Sequence, residues 1–147
     1  MTATTEILNA IPHREPFLMI DEVVEWNEQE LLGRKTFTGE EGFFRGHYPH
    51  YPIVPGVLLC ESALQTGAVF LRKKFASDPA KFEGKIPVVV KMSDIRFRQA
   101  VRPGDSVLIR VSLQDCMANV YSMSGQVTVN GKSAVKLNFT VMLVDGQ

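Results

Sequence analysis

The run over residues 57–71, VLLCESALQTGAVFL, constrains this chain more than any other stretch. It holds one charge, Glu61, and its apolar residues fall on nearly every side of a helical projection rather than along one stripe. A helix of that kind has no face to give to water and must be surrounded by protein. Pro55 suits its first position, where a missing N–H costs nothing. Arg72, Lys73 and Lys74 follow it, favourably placed at the negative end of the helix dipole. With Ser62, Gln65 and Thr66 inside, the run is too short and too polar to span a bilayer.

The residues available to surround this helix read mostly as strands. Residues 4–10 suit a short helix ended by Pro12. Residues 17–26 and 31–37 read as two strands joined by a polar turn, and 86–97 as a third after a polar connection over 76–85. Val107, Ile109, Val111 and Leu113 alternate with more polar neighbours. Asn130-Gly131 is a strong two-residue hairpin signal between strands over 120–129 and 133–144. In the last of these Val135, Leu137, Phe139 and Val141 alternate with Lys136, Asn138 and Thr140, which predicts one buried face. The economical packing is α+β, an antiparallel sheet of about six strands wrapped around one long central helix. No repeat or linker divides the chain, so residues 1–147 are expected to form a single domain. Such a sheet keeps its edges, and an edge strand invites pairing with a second copy, so a dimer is expected.

Sixteen basic residues balance sixteen acidic ones, which leaves no overall field to draw in nucleic acid or an anionic membrane. Cys60 and Cys116 fit neither a disulfide framework nor a zinc motif. No cationic segment leads into an apolar one at the start, so no secretory signal is expected and a cytoplasmic setting is.

The chemistry concentrates in Gly46-His47-Tyr48-Pro49-His50-Tyr51-Pro52-Ile53-Val54-Pro55-Gly56-Val57 and in the carboxylate that follows. Pro49, Pro52 and Pro55 each fix a backbone torsion, which lowers the entropy cost of holding the loop in one shape. Histidine suits a general base near neutral pH, and His47 sits in that stiffened loop. A carboxylate inside an apolar helix is rarely there without a reason, so Glu61 is a candidate acid. Gln65, four residues on and on the same helical face, can donate to it. Free N–H groups at a helix start can hold a developing oxyanion, and glycine at position 56 lets a ligand carbonyl approach closely. Each has a plain structural alternative: a solvated Glu61, a loop histidine, a helix-start glycine. His47 and His50 are three apart, but the prolines prevent a helical pairing and no H-E-x-x-H is present, so no metal site is expected.

These segments resemble the bacterial (3R)-hydroxyacyl-[acyl-carrier-protein] dehydratases of the FabZ type, which have the hot-dog fold. The resemblance rests on Ile11-Pro12-His13-Arg14-Glu15-Pro16-Phe17-Leu18, on Phe43-Phe44-Arg45-Gly46-His47-Tyr48-Pro49, on Pro52 to Val57, on Glu61 to Gln65, on Ile95-Arg96-Phe97-Arg98, and on Arg102-Pro103-Gly104-Asp105. It implies that His47 and Glu61 are catalytic and that Gly56, Gln65, Tyr48 and Val57 bind or frame the substrate. It also implies an acyl carrier protein as partner, no cofactor, and homodimers, often assembled as trimers of dimers, with each site built from both subunits. Arg72, Lys73, Lys74, Arg96, Arg98 and Arg102 are candidates for docking an acidic carrier. The rival readings are a hot-dog acyl thioesterase and a non-catalytic acyl-binding protein. Acyl chain length and pathway stay open.

Overall fold

The computed structural model describes residues 3–146. A short helix α1 (Thr5–Ala10) precedes strands β1 (Glu22–Trp26) and β2 (Glu30–Thr36). The long helix α2 (Gly56–Lys74) follows a loop, and then come β3 (Lys85–Phe97), β4 (Ser106–Met117), β5 (Val120–Val129) and β6 (Lys132–Asp145). The strands form one six-stranded sheet, antiparallel at every pairing, in the order β1-β2-β4-β5-β6-β3. Five of them, β2 to β6, contact α2, so the sheet wraps the helix as expected. At the β5–β6 turn Asn130 and Gly131 both take positive φ, 51° and 77°, the geometry that a two-residue hairpin of matching twist requires.

Two glycines let α2 seat closely in the sheet. A Cβ on Gly67 would lie 2.9 Å from the Phe139 ring, and one on Gly125 of β5 would lie 3.1 Å from the Ala63 Cβ. From Gln65 to Leu71 every residue of α2 is buried, as the all-round apolar pattern demands. The first half departs from that expectation. Val57 is 72% exposed, and Leu58, Glu61 and Leu64 are only half-buried. These four fall on one helical face, which the described residues leave open. Pro55 is the residue before the helix, not its first member, with extended ψ of 132°.

The strand expected over 17–26 is regular only from Glu22. Leu18, Met19, Ile20 and Asp21 are buried, yet their main chain is bound in other ways. The Met19 N–H donates to the Gln65 side chain at 2.7 Å. Asp21 is a pin: its N–H donates to the Arg34 carbonyl (2.8 Å), its carbonyl accepts from the Thr4 N–H (2.9 Å), and its carboxylate accepts from the Thr36 N–H (2.8 Å). Lys35 Nζ lies 3.4 Å from that carboxylate, and both side chains are almost wholly buried.

Removing one member of a buried ion pair strands the other without compensation and costs about 3–5 kcal/mol. Lys35→Met should therefore lower the unfolding free energy by about that amount in urea titrations. The exposed Lys132→Met should change it by less than about 0.5 kcal/mol. A Lys35→Met loss no larger than the control would show that the pair does not hold β2 to the segment before β1.

Candidate active site

The loop between β2 and α2 is ordered by its own side chains. Glu41 accepts from the N–H groups of Thr38 (3.1 Å) and Gly39 (2.9 Å). Partial burial works to raise its pKa, but the N–H groups of Glu41 itself, Gly39 and Thr38, with the charge of Lys35, hold it below the ordinary carboxylate value. A single 3₁₀ turn, Gly42–Arg45, then buries Phe44 and leads into His47. Tyr48 takes φ of 50°, a left-handed conformation that a bulky residue adopts only under constraint. Its carbonyl accepts from the Tyr51 N–H at 2.8 Å, closing the turn.

His47 is half-buried and its Nδ1 lies 3.2 Å from the Ile53 carbonyl. A carbonyl can only accept, so Nδ1 carries the proton, and in the neutral ring the lone pair is then on Nε2, the tautomer a general base needs. His47, Tyr48 and Gly56 line one groove of about 400 Å³ with Ile53, Leu59 and Phe97. The first N–H groups of α2 bonded within the helix are those of Leu58 and Leu59, both to the Pro55 carbonyl. The N–H groups of Gly56 and Val57 therefore stand at the positive end of the helix. The space beside Gly56 is not open, as the sequence suggested. A Cβ there would lie 2.7 Å from the Phe97 ring, so glycine admits Phe97, itself 55% exposed. Val57 points away from this groove, into the open.

Glu61 and Gln65 form a second cluster. Gln65, buried, donates from Nε2 to Glu61 Oε2 (2.9 Å) and to the Phe17 carbonyl (2.9 Å), while its Oε1 accepts from the Met19 N–H. Its amide is fully spent on protein. His13 completes the cluster: its Nε2 lies 3.9 Å from Glu61 Oε2. Nothing in the spacing of His13 and Glu61 announces their meeting, which depends on how Gln65 draws the segment around Phe17 onto α2.

The structure does not join the two clusters within one chain. Leu59 lines the His47 groove, and Glu61, two residues on at about 100° per residue, faces nearly the opposite way. Glu61 instead sits in the open stripe with Val57, Leu58 and Leu64, its side chain 20% exposed. Cys60 is buried, and burial pushes its thiol up, away from a reactive thiolate. Among the described residues no three of His, Cys, Asp and Glu converge to hold a metal ion, and no helix is long and apolar enough to cross a membrane. A larger cavity of about 660 Å³, between Arg14, Leu18, Lys35 and Glu41, contains none of the expected site residues.

The family model for the FabA-like domain matches residues 11–138, which contain both clusters. The chain is 38% identical over 141 residues to a 3-hydroxyacyl-[acyl-carrier-protein] dehydratase FabZ of Caulobacter vibrioides, covering 95% of this chain and 87% of that protein. It is 38% identical over 144 residues to one of Oenococcus oeni, covering 97% and 99%. Among solved structures it is similar to the dehydratase heterocomplex ApeI:P from Xenorhabdus doucetiae, with a TM-score of 0.76 and 15% identity over 95% of this chain and 91% of that one. It also resembles a hypothetical thioesterase of Streptococcus pneumoniae solved with coenzyme A, with a TM-score of 0.64 and 13% identity over 97% and 94%. The last two likenesses concern the fold, the helix-wrapped sheet known as the hot-dog.

A depressed carboxyl adds stability that is present above its unfolded pKa and is lost as pH falls through the lower, folded one. The thermal midpoint of the protein should therefore exceed that of Glu41→Gln at neutral pH. The gap should narrow as pH drops below the ordinary Glu value of 4.5. A gap that stayed constant from neutral pH into acid would remove Glu41 from the account of the loop.

Proposed function

This chain belongs to the FabA-like family, and we propose that within it the protein is a 3-hydroxyacyl-[acyl-carrier-protein] dehydratase. It removes water reversibly from a 3-hydroxyacyl thioester to give the trans-2-enoyl thioester, acting as a single domain of residues 1–147. The observation that carries this reading is His47, whose Nδ1 is committed to Ile53 and whose ring lines the groove beside the start of α2, leaving Nε2 for the role of base.

The C2 proton is weakly acidic and leaves only if the thioester oxygen is stabilised as charge builds on it. The N–H groups at the start of α2 supply that stabilisation once the exposed Phe97 ring turns aside. His47 Nε2 takes the proton, the C3–O bond breaks, and Glu61 protonates the departing hydroxyl so that it leaves as water. Gln65 holds the Glu61 carboxyl for that transfer.

Because His47 and Glu61 face opposite ways from one α2, the complete site takes His47 from one subunit and Glu61 from another. Two features support a homodimer. Among the described residues β3 is an edge strand bonded only to β6, and it exposes Ile86, Val89, Val90, Met92, Ile95 and Phe97. The open stripe around Glu61 supplies a second uncovered apolar face. For the carrier, two of the six candidate cations are already paired with carboxylates, Lys73 with Glu6 and Lys74 with Glu28. Arg72 and Arg102 each lie over an aromatic ring, Phe82 and Tyr51, and keep their charge. Arg98 lines the His47 groove, and Arg102 donates to the Tyr51 hydroxyl in the His47 loop, so an acidic carrier docked on them would deliver its acyl chain to that groove.

Incubation with crotonyl thioester should consume the enoyl absorbance, whereas a thioesterase would release thiol from a saturated acyl thioester instead. His47→Ala and Glu61→Gln should each lose activity by about 100- to 10,000-fold with normal unfolding curves. Mixed at random, these two dead variants should recover about a quarter of wild-type activity, because each heterodimer then keeps one intact site. Confirmed heterodimers that stay inactive would refute the shared site. A variant keeping half of wild-type turnover would refute the assignment of its residue.

A further inference from the structure

We propose that His13 passes protons between solvent and Glu61, resetting the acid after each turnover. The inference rests on the dehydratase reading above and assigns the step that reading leaves unprovided. After elimination His47 holds the C2 proton and Glu61 has lost its own. His47 can discharge to water from its groove, but Glu61 must regain a proton on a face that the proposed dimer covers. His13 bridges that gap in position. Its Nε2 is 3.9 Å from Glu61 Oε2, a separation that a slight tilt of the ring closes, and its side chain is 29% exposed against 20% for Glu61. In the protonated form His13 gives its Nε2 proton to the Glu61 carboxylate and then takes another at Nε2 from solvent. In the hydration direction the same transfers run backwards.

The placement of His13 is built. Arg14 donates from Nη1 to the carbonyls of Ile11 (2.8 Å) and His13 (2.7 Å) and from Nη2 to that of Leu8 (2.9 Å), fixing the turn on both sides of the ring. Phe17 stacks beside the imidazole at 6.5 Å between centroids, and Gln65 binds the Phe17 carbonyl and the Met19 N–H. The same amide donates to Glu61, so one side chain sets both ends of the His13–Glu61 approach. The ring gains little for the fold in return. His13 Nδ1 is buried with no hydrogen-bond partner, a cost that a merely structural side chain would avoid. Glu61 is the only carboxylate within 4.0 Å of His13 among the described residues, and the nearby Arg14 is turned to main-chain carbonyls.

The test compares wild type, His13→Ala and His13→Gln in crotonyl thioester hydration, with thermal midpoints measured alongside. His13 acts through Glu61, so both variants should lose kcat by about 100-fold while KM stays within about twofold. Free imidazole should raise the kcat of His13→Ala at least fivefold and should leave wild type and Glu61→Gln unchanged. Glutamine keeps the size and a donor but cannot relay a proton, so His13→Gln at wild-type kcat would reduce His13 to a spacer and overturn the proposal. A folded His13→Ala that imidazole does not accelerate would overturn it too. If His13→Ala unfolds, the near-isosteric His13→Gln decides alone by its kcat. A wild type that fails to hydrate the substrate at all would instead sink the dehydratase reading, and the inference with it.

Discussion

The amide of Gln65 is the joint on which both the fold and the site turn. It is buried in the middle of α2, where an unsatisfied amide would cost about 1–3 kcal/mol per group. The structure satisfies it by drawing the Phe17–Met19 main chain against the helix, so this segment leaves the sheet ladder and becomes a strap. The strap in turn delivers Asp21 to the end of β2, where its carboxylate meets Thr36 and Lys35. The remaining amide hydrogen bond goes to Glu61. A core polar group bonded to main chain and to one carboxylate thus converts helix packing into the orientation of that carboxylate.

The two halves of α2 answer to different demands. Gln65 to Leu71 is enclosed, and Gly67 and Gly125 exist there to let helix and sheet approach. The first half carries Val57, Leu58, Glu61 and Leu64 on an uncovered face, and its sheet neighbour β3 exposes a row of apolar side chains. A monomer would leave both in water. The proposed dimer covers them together and brings a second His47 to the open Glu61, so the same apolar surface that drives association completes the chemistry. In that proposed dimer the carboxylate on this face would be the working end of an interface rather than a defect in a core.

Much of this was legible in the sequence because it is periodic. The all-round apolar run, the alternation in β6 and the Asn130-Gly131 turn each follow from local geometry, and the helix-wrapped sheet follows from them. What was not legible depends on one distant group bonding another. The strap over residues 17–21 looked like strand because its buried residues are strand-like, and only Gln65 and Asp21 show where its main chain goes. Gly56 looked like room for a ligand, yet a Phe97 ring more than forty residues away fills it. His13 was part of a matching motif, but its place beside Glu61 needs the strap. The spacing of Glu61 and Gln65 alone could foretell their hydrogen bond, since four residues on a helix is a local relation.

The charges show the same sorting by position. The zero net charge conceals two unlike sets of cations. At the end of α2, Lys73 and Lys74 serve the helix dipole and also tie the helix to α1 and to the β1–β2 turn through Glu6 and Glu28, with Lys73 lying 5.1 Å over the Trp26 ring. Exposed pairs of this kind add little energy each, but together they fix the end of a helix whose buried half leaves it no freedom to slide. Around the His47 groove, Arg98 and Arg102 face no carboxylate partner of that sort among the described residues; Arg102 lies 4.7 Å over the Tyr51 ring and holds the loop through its hydroxyl. A guanidinium neutralised by an acid would have little left for an anionic visitor, whereas one stacked on an aromatic ring keeps its charge. The fold therefore spends its ion pairs at the far end of the helix and leaves positive charge standing where the groove opens.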